Sequence, residues 1–145
     1  MGTIVVGVDG SSGSAAALRF AVEEARLRNS ALRVVTAWHV SPLAYSGGFA
    51  AAVDPRDYEE SAEVVGKEAL AALREELVGV DVERLAKQGQ AAQVLLEEAR
   101  GADLLVVGSR GHGGFAGLLL GSVSQQVAHH ASCPVVIVTE SGAAP

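Results

Sequence analysis

Apolar positions along the chain fall into short blocks whose internal spacing alternates between that of strands and that of helices. Compact β-branched or apolar runs predict strands, and stretches with apolar residues three or four positions apart predict helices. The predicted strands cover residues 3–8, 32–40, 80–86, 103–107 and 134–139, and the predicted helices cover residues 15–28, 56–78, 91–100 and 122–131. Prolines and glycines indicate a long loop over residues 41–55.

Strict alternation of strand and helix is typical of parallel strands joined by right-handed crossovers. The first, fourth and fifth strands are apolar almost throughout, as strands covered on both faces must be. We therefore predict one doubly wound α/β domain over residues 1–140, with a five-stranded parallel sheet, helices on both faces and a disordered tail over 141–145. Ligands in such sheets bind beyond the carboxyl ends of the strands, where the strand order reverses.

Composition and charge narrow the classes of partner. The 145 residues are 49% hydrophobic and 19% charged, which indicates a globular chain, and 11 Lys and Arg against 17 Asp and Glu give a net charge of −6. We expect neither nucleic acid nor an anionic membrane as a partner. No apolar run approaches the roughly 20 residues that span a bilayer, and the first nine residues do not resemble a secretory signal.

Cysteine usage agrees with a reducing compartment. The chain has one cysteine, Cys133, which excludes an internal disulfide and a cysteine zinc cluster. Its position just before a predicted strand favours a small packed thiol over a reactive nucleophile.

The segment 108–121 carries the strongest chemical signal, because six of its fourteen residues are glycine. Glycine allows close approach of the backbone to an anion and permits positive φ, so that successive N–H groups can bind phosphate. Gly121 and Ser122 open a predicted helix, whose N-terminus also favours phosphate, and Ser122 and Ser124 offer hydroxyl donors. In the alternative interpretation Ser122 is only an N-cap and the glycines form a flexible loop. Loops of this length are uncommon unless functional, which favours phosphate binding.

Parts of the sequence resemble two other nucleotide-binding motifs but lack residues that those motifs require. Gly111, Gly113 and Ala116 have the spacing of a dinucleotide fingerprint, but they lie within a loop and no acidic ribose ligand follows at the required distance. A Walker A loop needs lysine before the serine, and Gly121 stands there instead. Dehydrogenase and P-loop classes are therefore disfavoured.

The spacing Gly108-x2-Gly111-x9-Gly121-Ser122 resembles the complete glycine motif of ATP-binding universal stress proteins. The opening TIVVGVDGSSGSAAAL and the closing SCPVVIV are similar to the two ends of that family, so the resemblance covers nearly the whole chain. It implies an adenine nucleotide alpha hydrolase-like fold of strand order 3-2-1-4-5, a cytoplasmic location, and a homodimer formed through the edge strand 134–139. It also implies ATP as ligand, with Mg²⁺ or Mn²⁺ held mainly by the phosphates.

Site residues follow from the resemblance one position at a time. The first-strand end reaches the nucleoside, one residue of the second strand lends its backbone to adenine, the fourth-strand end lies beside the ribose, and the residues from Gly111 onward hold phosphate. In that order these are Gly7, Val8 and Asp9; Ala37; Val107 and Gly108; and Gly111, Gly121, Ser122, Val123 and Ser124. Arg110 joins the binding residues by our own inference, as a bidentate partner of a phosphate.

For some side chains the sequence allows two interpretations. Arg110 is either that phosphate partner or a charge in solvent, and His112 is more simply a loop histidine than a phosphate contact. Asp9 is either a ligand contact, which we favour, or the cap of the helix at 12–28, although a cap more often falls on Ser11, Ser12 or Ser14. Trp38 is interpreted as core rather than as a platform for adenine. The four histidines are not spaced for a metal site, so no metal-binding or catalytic residue is assigned.

Rapid hydrolysis is not expected, because the phosphate loop has no lysine and Asp9 is the one candidate base. We expect a nucleotide-dependent switch or sensor in the stress response with at most weak ATPase activity, in which segment 108–121 becomes ordered when ATP binds. Two alternatives stay open: a protein that binds cyclic AMP or another adenine nucleotide, and a dimeric scaffold without ligand. An adenylyl-transferring enzyme is disfavoured, because its His-x-Gly-His signature is absent from the sequence.

Overall fold

The computed structural model describes residues 1–40, 54–111 and 120–140, which contain five strands and four helices. In chain order these are β1 (Thr3–Gly7), α1 (Ser12–Arg28), β2 (Ala31–Trp38), α2 (Pro55–Ala71), β3 (Val82–Gln88), α3 (Ala91–Glu98), β4 (Leu104–Gly108), α4 (Ser122–His130) and β5 (Val135–Val138). Every strand pair is parallel, and the sheet order is β3-β2-β1-β4-β5. The predicted fold class and strand order are confirmed. Most of the predicted loop 41–55 and the whole tail 141–145 lie outside the described residues.

Two apolar layers cover the sheet, one on each face. Alternate β1 residues point to opposite sides, so that Ile4 and Val6 belong to the apolar layer that includes α1 and α2, while Val5 belongs to the layer that includes α3 and α4. All three side chains are fully buried. Burial on both faces explains why the central strands read as continuous apolar runs.

Helix α1 begins at Ser12, three residues before its helical spacing starts at Ala15, because Ser11, one of the predicted cap candidates, is its N-cap. The Ser11 Oγ accepts a hydrogen bond of 3.2 Å from the Ser14 N–H. The helix ends at Asn29, whose φ of 53° is left-handed and whose N–H returns to the carbonyl of Arg26. The early start brings the first turn of α1 to the carboxyl end of β1.

Among the other elements, α2 and β3 depart furthest from their predicted bounds. Helix α2 ends at Ala71 rather than at residue 78, and turns cover residues 72–79, although Leu73 is still buried in the core. Strand β3 starts and ends two residues later than predicted, because its register with β2 pairs Leu32 with Val82 and Trp38 with Gln88. Within the described ranges, no helix has the length and hydropathy needed to cross a membrane.

Candidate functional site

A cavity of about 330 Å³ opens at the carboxyl ends of β1 and β4. These two strands are neighbours, with Val6 paired to Val106, although the five elements from α1 to α3 separate them in the sequence. The chain continues from β1 into α1 on one face of the sheet and reaches α4 on the opposite face after β4. Diverging connections leave a crevice between the strand ends, which is where open α/β sheets bind ligands.

All twelve residues that the sequence analysis assigned to ligand binding line this cavity. They come from four separate parts of the chain: the ends of β1, β2 and β4, and the first turn of α4. They are Gly7, Val8, Asp9, Ala37, Val107, Gly108, Arg110, Gly111, Gly121, Ser122, Val123 and Ser124. His112 lies outside the described residues. Trp38 is half-buried and lines no part of the cavity.

The structure adds lining residues that the sequence analysis did not assign as ligand contacts. Some neighbour the motifs, and others come from helices that reach the site only in three dimensions. They are Ser11, Ser14, Val35, Ala91, Leu95, Ser109, Leu120 and Gln125. Ser109 lies inside the glycine motif and could have been found there. Ala91 and Leu95 belong to α3, whose approach to the β1 end depends on the crossover from β3 to β4.

Close backbone packing explains why residue 108 is a glycine. A Cβ at this position would lie 2.7 Å from the carbonyl oxygen of Gly13 and 2.8 Å from its carbonyl carbon. Gly13 is equally restricted, because its own Cβ would lie 2.5 Å from the carbonyl oxygen of Arg110. The two glycines therefore let the first turn of α1 contact the end of β4 directly.

Gly111 has a different neighbour. A Cβ there would lie 2.5 Å from a carboxylate oxygen of Asp9, so its absence makes room for that side chain. The backbone at Gly108, Gly111 and Gly121 has no positive φ. At Gly108 and Gly111, close approach and not left-handed conformation is the structural requirement, which corrects part of our expectation for the loop. A Cβ at Gly121 would have its nearest neighbours at 3.4 Å, which is an ordinary contact distance.

Helix α4 starts at the cavity with Gly121 as N-cap, which has no side chain to accept from the N–H groups of the first turn. The Gly121 N–H donates to the Ser109 carbonyl at 2.6 Å, and the buried Ser124 hydroxyl lies 2.9 Å from the same carbonyl oxygen. These bonds join the end of β4 to the first turn of α4. The Ser124 hydroxyl is thus engaged with the backbone, whereas the Ser122 side chain is exposed. A helix start of this kind attracts anions.

Asp9 organises the turn between β1 and α1. Its carboxylate accepts hydrogen bonds from the Ser11 N–H, at 2.9 Å, and from the Ser11 hydroxyl. The Asp9 N–H donates to the Ser14 Oγ at 3.2 Å. Since Ser11 is the N-cap of α1, the alternative that Asp9 caps this helix is wrong. Asp9 supports the capping residue and lines the cavity.

The charges around the cavity are few. Arg110 is the one cation and Asp9 the one carboxylate among its described lining residues. Arg110 is exposed and forms no ion pair within the described part of the chain. An anion in this cavity would therefore depend mainly on backbone N–H groups, with Arg110 as the charged side chain available.

A second cavity of about 440 Å³ adjoins the first and shares four lining residues with it: Ala37, Ala91, Ser122 and Val123. Its other walls come from the ends of β2 and β3 and from the first turns of α3 and α4. These residues are His39, Gly89, Gln90, Ala92 and Gln126.

The described residues can be compared with what a metal site and a reactive thiol would need. No group of three or more His, Cys, Asp or Glu side chains in ranges 1–40, 54–111 and 120–140 is arranged to hold a metal ion. Burial, together with the nearby Asp103 carboxylate, raises the pKa of the Cys133 thiol. Raising the pKa favours the neutral thiol over the nucleophilic thiolate, in line with the packed cysteine that the sequence indicates.

Fold and site together define a doubly wound α/β protein with a glycine-lined cavity at the point where the strand order reverses. The profile of the universal stress protein family matches residues 1–139, and the chain belongs to that family.

Two kinds of relative illustrate the relationship. Universal stress protein Rv2623 of Mycobacterium tuberculosis (strain ATCC 25618 / H37Rv) is 39% identical over 138 residues, which are 95% of this chain and 45% of that protein. The chain therefore spans less than half the length of such curated relatives.

Solved structures extend the comparison. A universal stress protein in complex with cAMP is 33% identical with a TM-score of 0.69, and the match covers 97% of this chain and 98% of that chain. The universal stress protein from Archaeoglobus fulgidus in complex with dAMP is 27% identical with a TM-score of 0.69, covering 94% and 97% of the two chains.

Proposed function

We propose that this chain binds an adenine nucleotide in the cavity between the β1 and β4 ends, with ATP as the ligand and a divalent cation held mainly by its phosphates. One observation carries the proposal. Residues from four separate segments, each assigned to nucleotide binding by the sequence, line a single cavity at the α4 N-terminus.

The two ends of the cavity suit the two ends of a nucleotide. The phosphates would lie at the first turn of α4 and near Arg110, where N–H groups and a guanidinium supply positive charge. The nucleoside would lie against Val8, Ala37 and Val107, with Val35 and Leu95 as further apolar walls. Asp9 would face the nucleoside or a hydrated cation on the phosphates.

The solved relatives support an adenine nucleotide as the ligand class. The structure at 33% identity is a complex with cAMP, and the one at 27% identity is a complex with dAMP. Each covers nearly all of both chains, so the matched region includes the cavity-forming elements described above. The choice of ATP among adenine nucleotides rests on the glycine motif that ends in Gly121 and Ser122.

Slow or absent hydrolysis belongs to the same proposal. Asp9 is the one carboxylate among the described lining residues, and it accepts hydrogen bonds from Ser11. A group engaged in this way is a poor general base, and no lysine lines the described part of the cavity. We infer a nucleotide-dependent switch in the stress response, whose bound state is sensed through residues 108–111 and 120–124. Slower amide exchange of these residues with ATP is the expected sign, and identical exchange with and without ATP would contradict it.

The proposal also includes a cytoplasmic homodimer built from the domain of residues 1–140. Strand β5 ends the sheet order, and its four apolar residues Val135–Val138 are only half-buried. An apolar edge strand is prone to association, and pairing with the same strand of a second copy would cover it.

Replacing Arg110 tests where the phosphates bind. We expect Arg110→Gln to weaken binding of ATP by about tenfold or more, the size of a lost charge-assisted hydrogen bond, and to leave adenosine binding unchanged. Calorimetric titration of both ligands measures this difference. Arg100→Gln removes an exposed arginine that lines no part of the cavity and is the matched control. Equal loss in both variants, or an equal effect on adenosine, would contradict the assignment.

Cyclic AMP is the second candidate ligand. The complex with cAMP at 33% identity favours it, and the cavity has a single cationic side chain among its described lining residues, which suits one phosphate. Titration of the same protein with ATP, ADP, AMP and cyclic AMP in the presence of Mg²⁺ separates the two candidates. Tighter binding of cyclic AMP than of ATP would replace ATP with this ligand.

A further inference from the structure

We infer that the second cavity is a subsite for the polar edge of the nucleobase, hydrogen-bonded by the carboxamides of Gln90 and Gln126. This inference rests on the proposed function, since it takes an adenine nucleotide as the ligand. It assigns a specificity role to two residues outside the glycine motif. Both residues are exposed and line the second cavity, and neither lines the first.

Small side chains separate the two cavities. Ala37 at the end of β2 and Ala91 at the start of α3 line both of them, together with Ser122 and Val123. Methyl groups at the boundary leave room for a planar ring to reach from one space to the other. A ligand whose anionic end lies in the first cavity can therefore extend its neutral end into the second.

The distribution of charge orients such a ligand. Arg110, Gly111 and Gly121 line the first cavity only. His39 is the one titratable side chain among the described lining of the second, where the remaining polar side chains are neutral. Phosphate is therefore favoured in the first cavity, and an uncharged polar group in the second.

Carboxamides suit a nucleobase edge. Each presents a carbonyl acceptor beside an N–H donor, and adenine presents its exocyclic amine beside a ring nitrogen acceptor, so that two parallel hydrogen bonds can form. Gln90 is the N-cap of α3, but its side chain makes no capping hydrogen bond. Within the described ranges, neither the Gln90 nor the Gln126 side chain makes a hydrogen bond, which leaves both carboxamides available to a ligand.

Backbone geometry fixes the position of Gln90. The Gly89 N–H donates to the Trp38 carbonyl at 2.8 Å, which joins the end of β3 to the end of β2. Gly89 has a φ of 140°, and a Cβ there would lie 2.9 Å from a methyl group of Val94. This tight turn fixes the path of the backbone into Gln90, which directly precedes Ala91, a residue that lines both cavities.

The test removes the hydrogen-bonding groups from the ligand and from the protein separately. The ligands are AMP and purine riboside 5′-monophosphate, which lacks the exocyclic amine, and dissociation constants are measured by calorimetry. We expect the wild-type chain to bind AMP about tenfold more tightly than the analogue. We expect the double variant Gln90→Leu, Gln126→Leu to bind the two ligands within about twofold of each other. Gln93→Leu alters an exposed glutamine of α3 that lines neither cavity, and it should keep the wild-type ratio.

Each possible result of these titrations either supports or overturns the nucleobase subsite. Loss of the ratio in the double variant alone supports it, with thermal unfolding used to establish that the variant is folded. A wild-type chain that binds both ligands equally, or a double variant that keeps the wild-type ratio, overturns the nucleobase subsite while AMP binding itself still stands. Absence of AMP binding by the wild-type chain overturns the proposed function as well, and it is seen before any variant is made.

Discussion

Gly108 and Gly111 belong to one sequence motif, yet they meet different neighbours. Gly108 is required because the backbone of Gly13 lies where its Cβ would be, whereas Gly111 makes room for the Asp9 carboxylate. From the sequence, both glycines could be assigned to a close approach of the backbone. The strand order 3-2-1-4-5 already places the ends of β1 and β4 side by side, but the atoms that each glycine meets could not be predicted from the sequence. A glycine of the motif can thus serve packing and still line the ligand cavity.

Alanine at Gly108 tests the packing requirement. We expect Gly108→Ala to lower the free energy of unfolding by about 1–3 kcal/mol, because backbone atoms at 2.7 and 2.8 Å cannot move aside cheaply. Gly121→Ala is the control: its Cβ would have its nearest neighbours at 3.4 Å, and we expect a loss under about 1 kcal/mol. Urea denaturation of both variants without nucleotide measures the difference. Similar losses in the two variants would show that the contact with Gly13 is not the limiting one.

The first turn of α1 is the element that joins fold and site. Its cap Ser11 is bonded to Asp9, and its Gly13 contacts the end of β4. The helical spacing in the sequence begins only at Ala15, whereas the serines before it offer Ser11 among the cap candidates for a helix over 12–28. Polar cap chemistry, and not hydrophobic periodicity, sets the observed start.

Removal of the cap measures its contribution. We expect Ser11→Ala to lower the free energy of unfolding by about 1 kcal/mol, because the Ser14 N–H loses its acceptor and the Asp9 carboxylate loses one donor. Ser61→Ala changes an exposed serine within α2 and should leave stability nearly unchanged. Urea denaturation compares the two. A loss in Ser11→Ala no larger than that in the control would exclude a capping role.

The hydrophobic pattern also predicted the bounds of β3 and α2 incorrectly. Strand β3 is largely polar and half-exposed, so its hydrophobic pattern is weak and its position is set by pairing with β2. At the end of α2, the apolar spacing that continues through Leu73 and Leu77 extended the predicted helix to residue 78, but residues 72–79 form turns that still bury Leu73. In both cases tertiary contacts set the bounds of the element, because the local sequence pattern does not determine them.

At the scale of the whole molecule, alternation of strands and helices was enough to predict the parallel sheet and the edge of the sheet at which the cavity lies. The motif spacing added the strand ends that line the cavity, and the structure brings all of these residues together. Contributions from α3, such as Ala91 and Leu95, could not be predicted. They depend on α3 crossing the opposite face of the sheet from α1, and no local signal in the sequence encodes that approach.

Strand β5 carries the prediction of a dimer. The carbonyls of Pro134 and Val138 accept from β4, so by alternation the Ile137 N–H points away from β4 toward the edge. We expect a dimer at micromolar concentration in sedimentation, and a monomer for Ile137→Pro, which lacks that N–H. Ile137→Ala loses similar packing but keeps the N–H, and it should stay dimeric. A monomeric wild-type chain, or a monomeric Ile137→Ala variant, would count against pairing through this edge.

The most direct measurement of the central claim is a titration followed by amide nuclear magnetic resonance of the wild-type chain, with AMP and with adenosine. We expect AMP to cause saturable shifts of the Gly111, Ser122 and Val123 amides that adenosine does not cause, because the phosphate would bind their N–H groups. The Thr3 and Asp81 amides at the opposite end of the sheet should not shift. Saturating AMP without change at the α4 N-terminus, or with shifts only elsewhere, would contradict a phosphate site in this cavity.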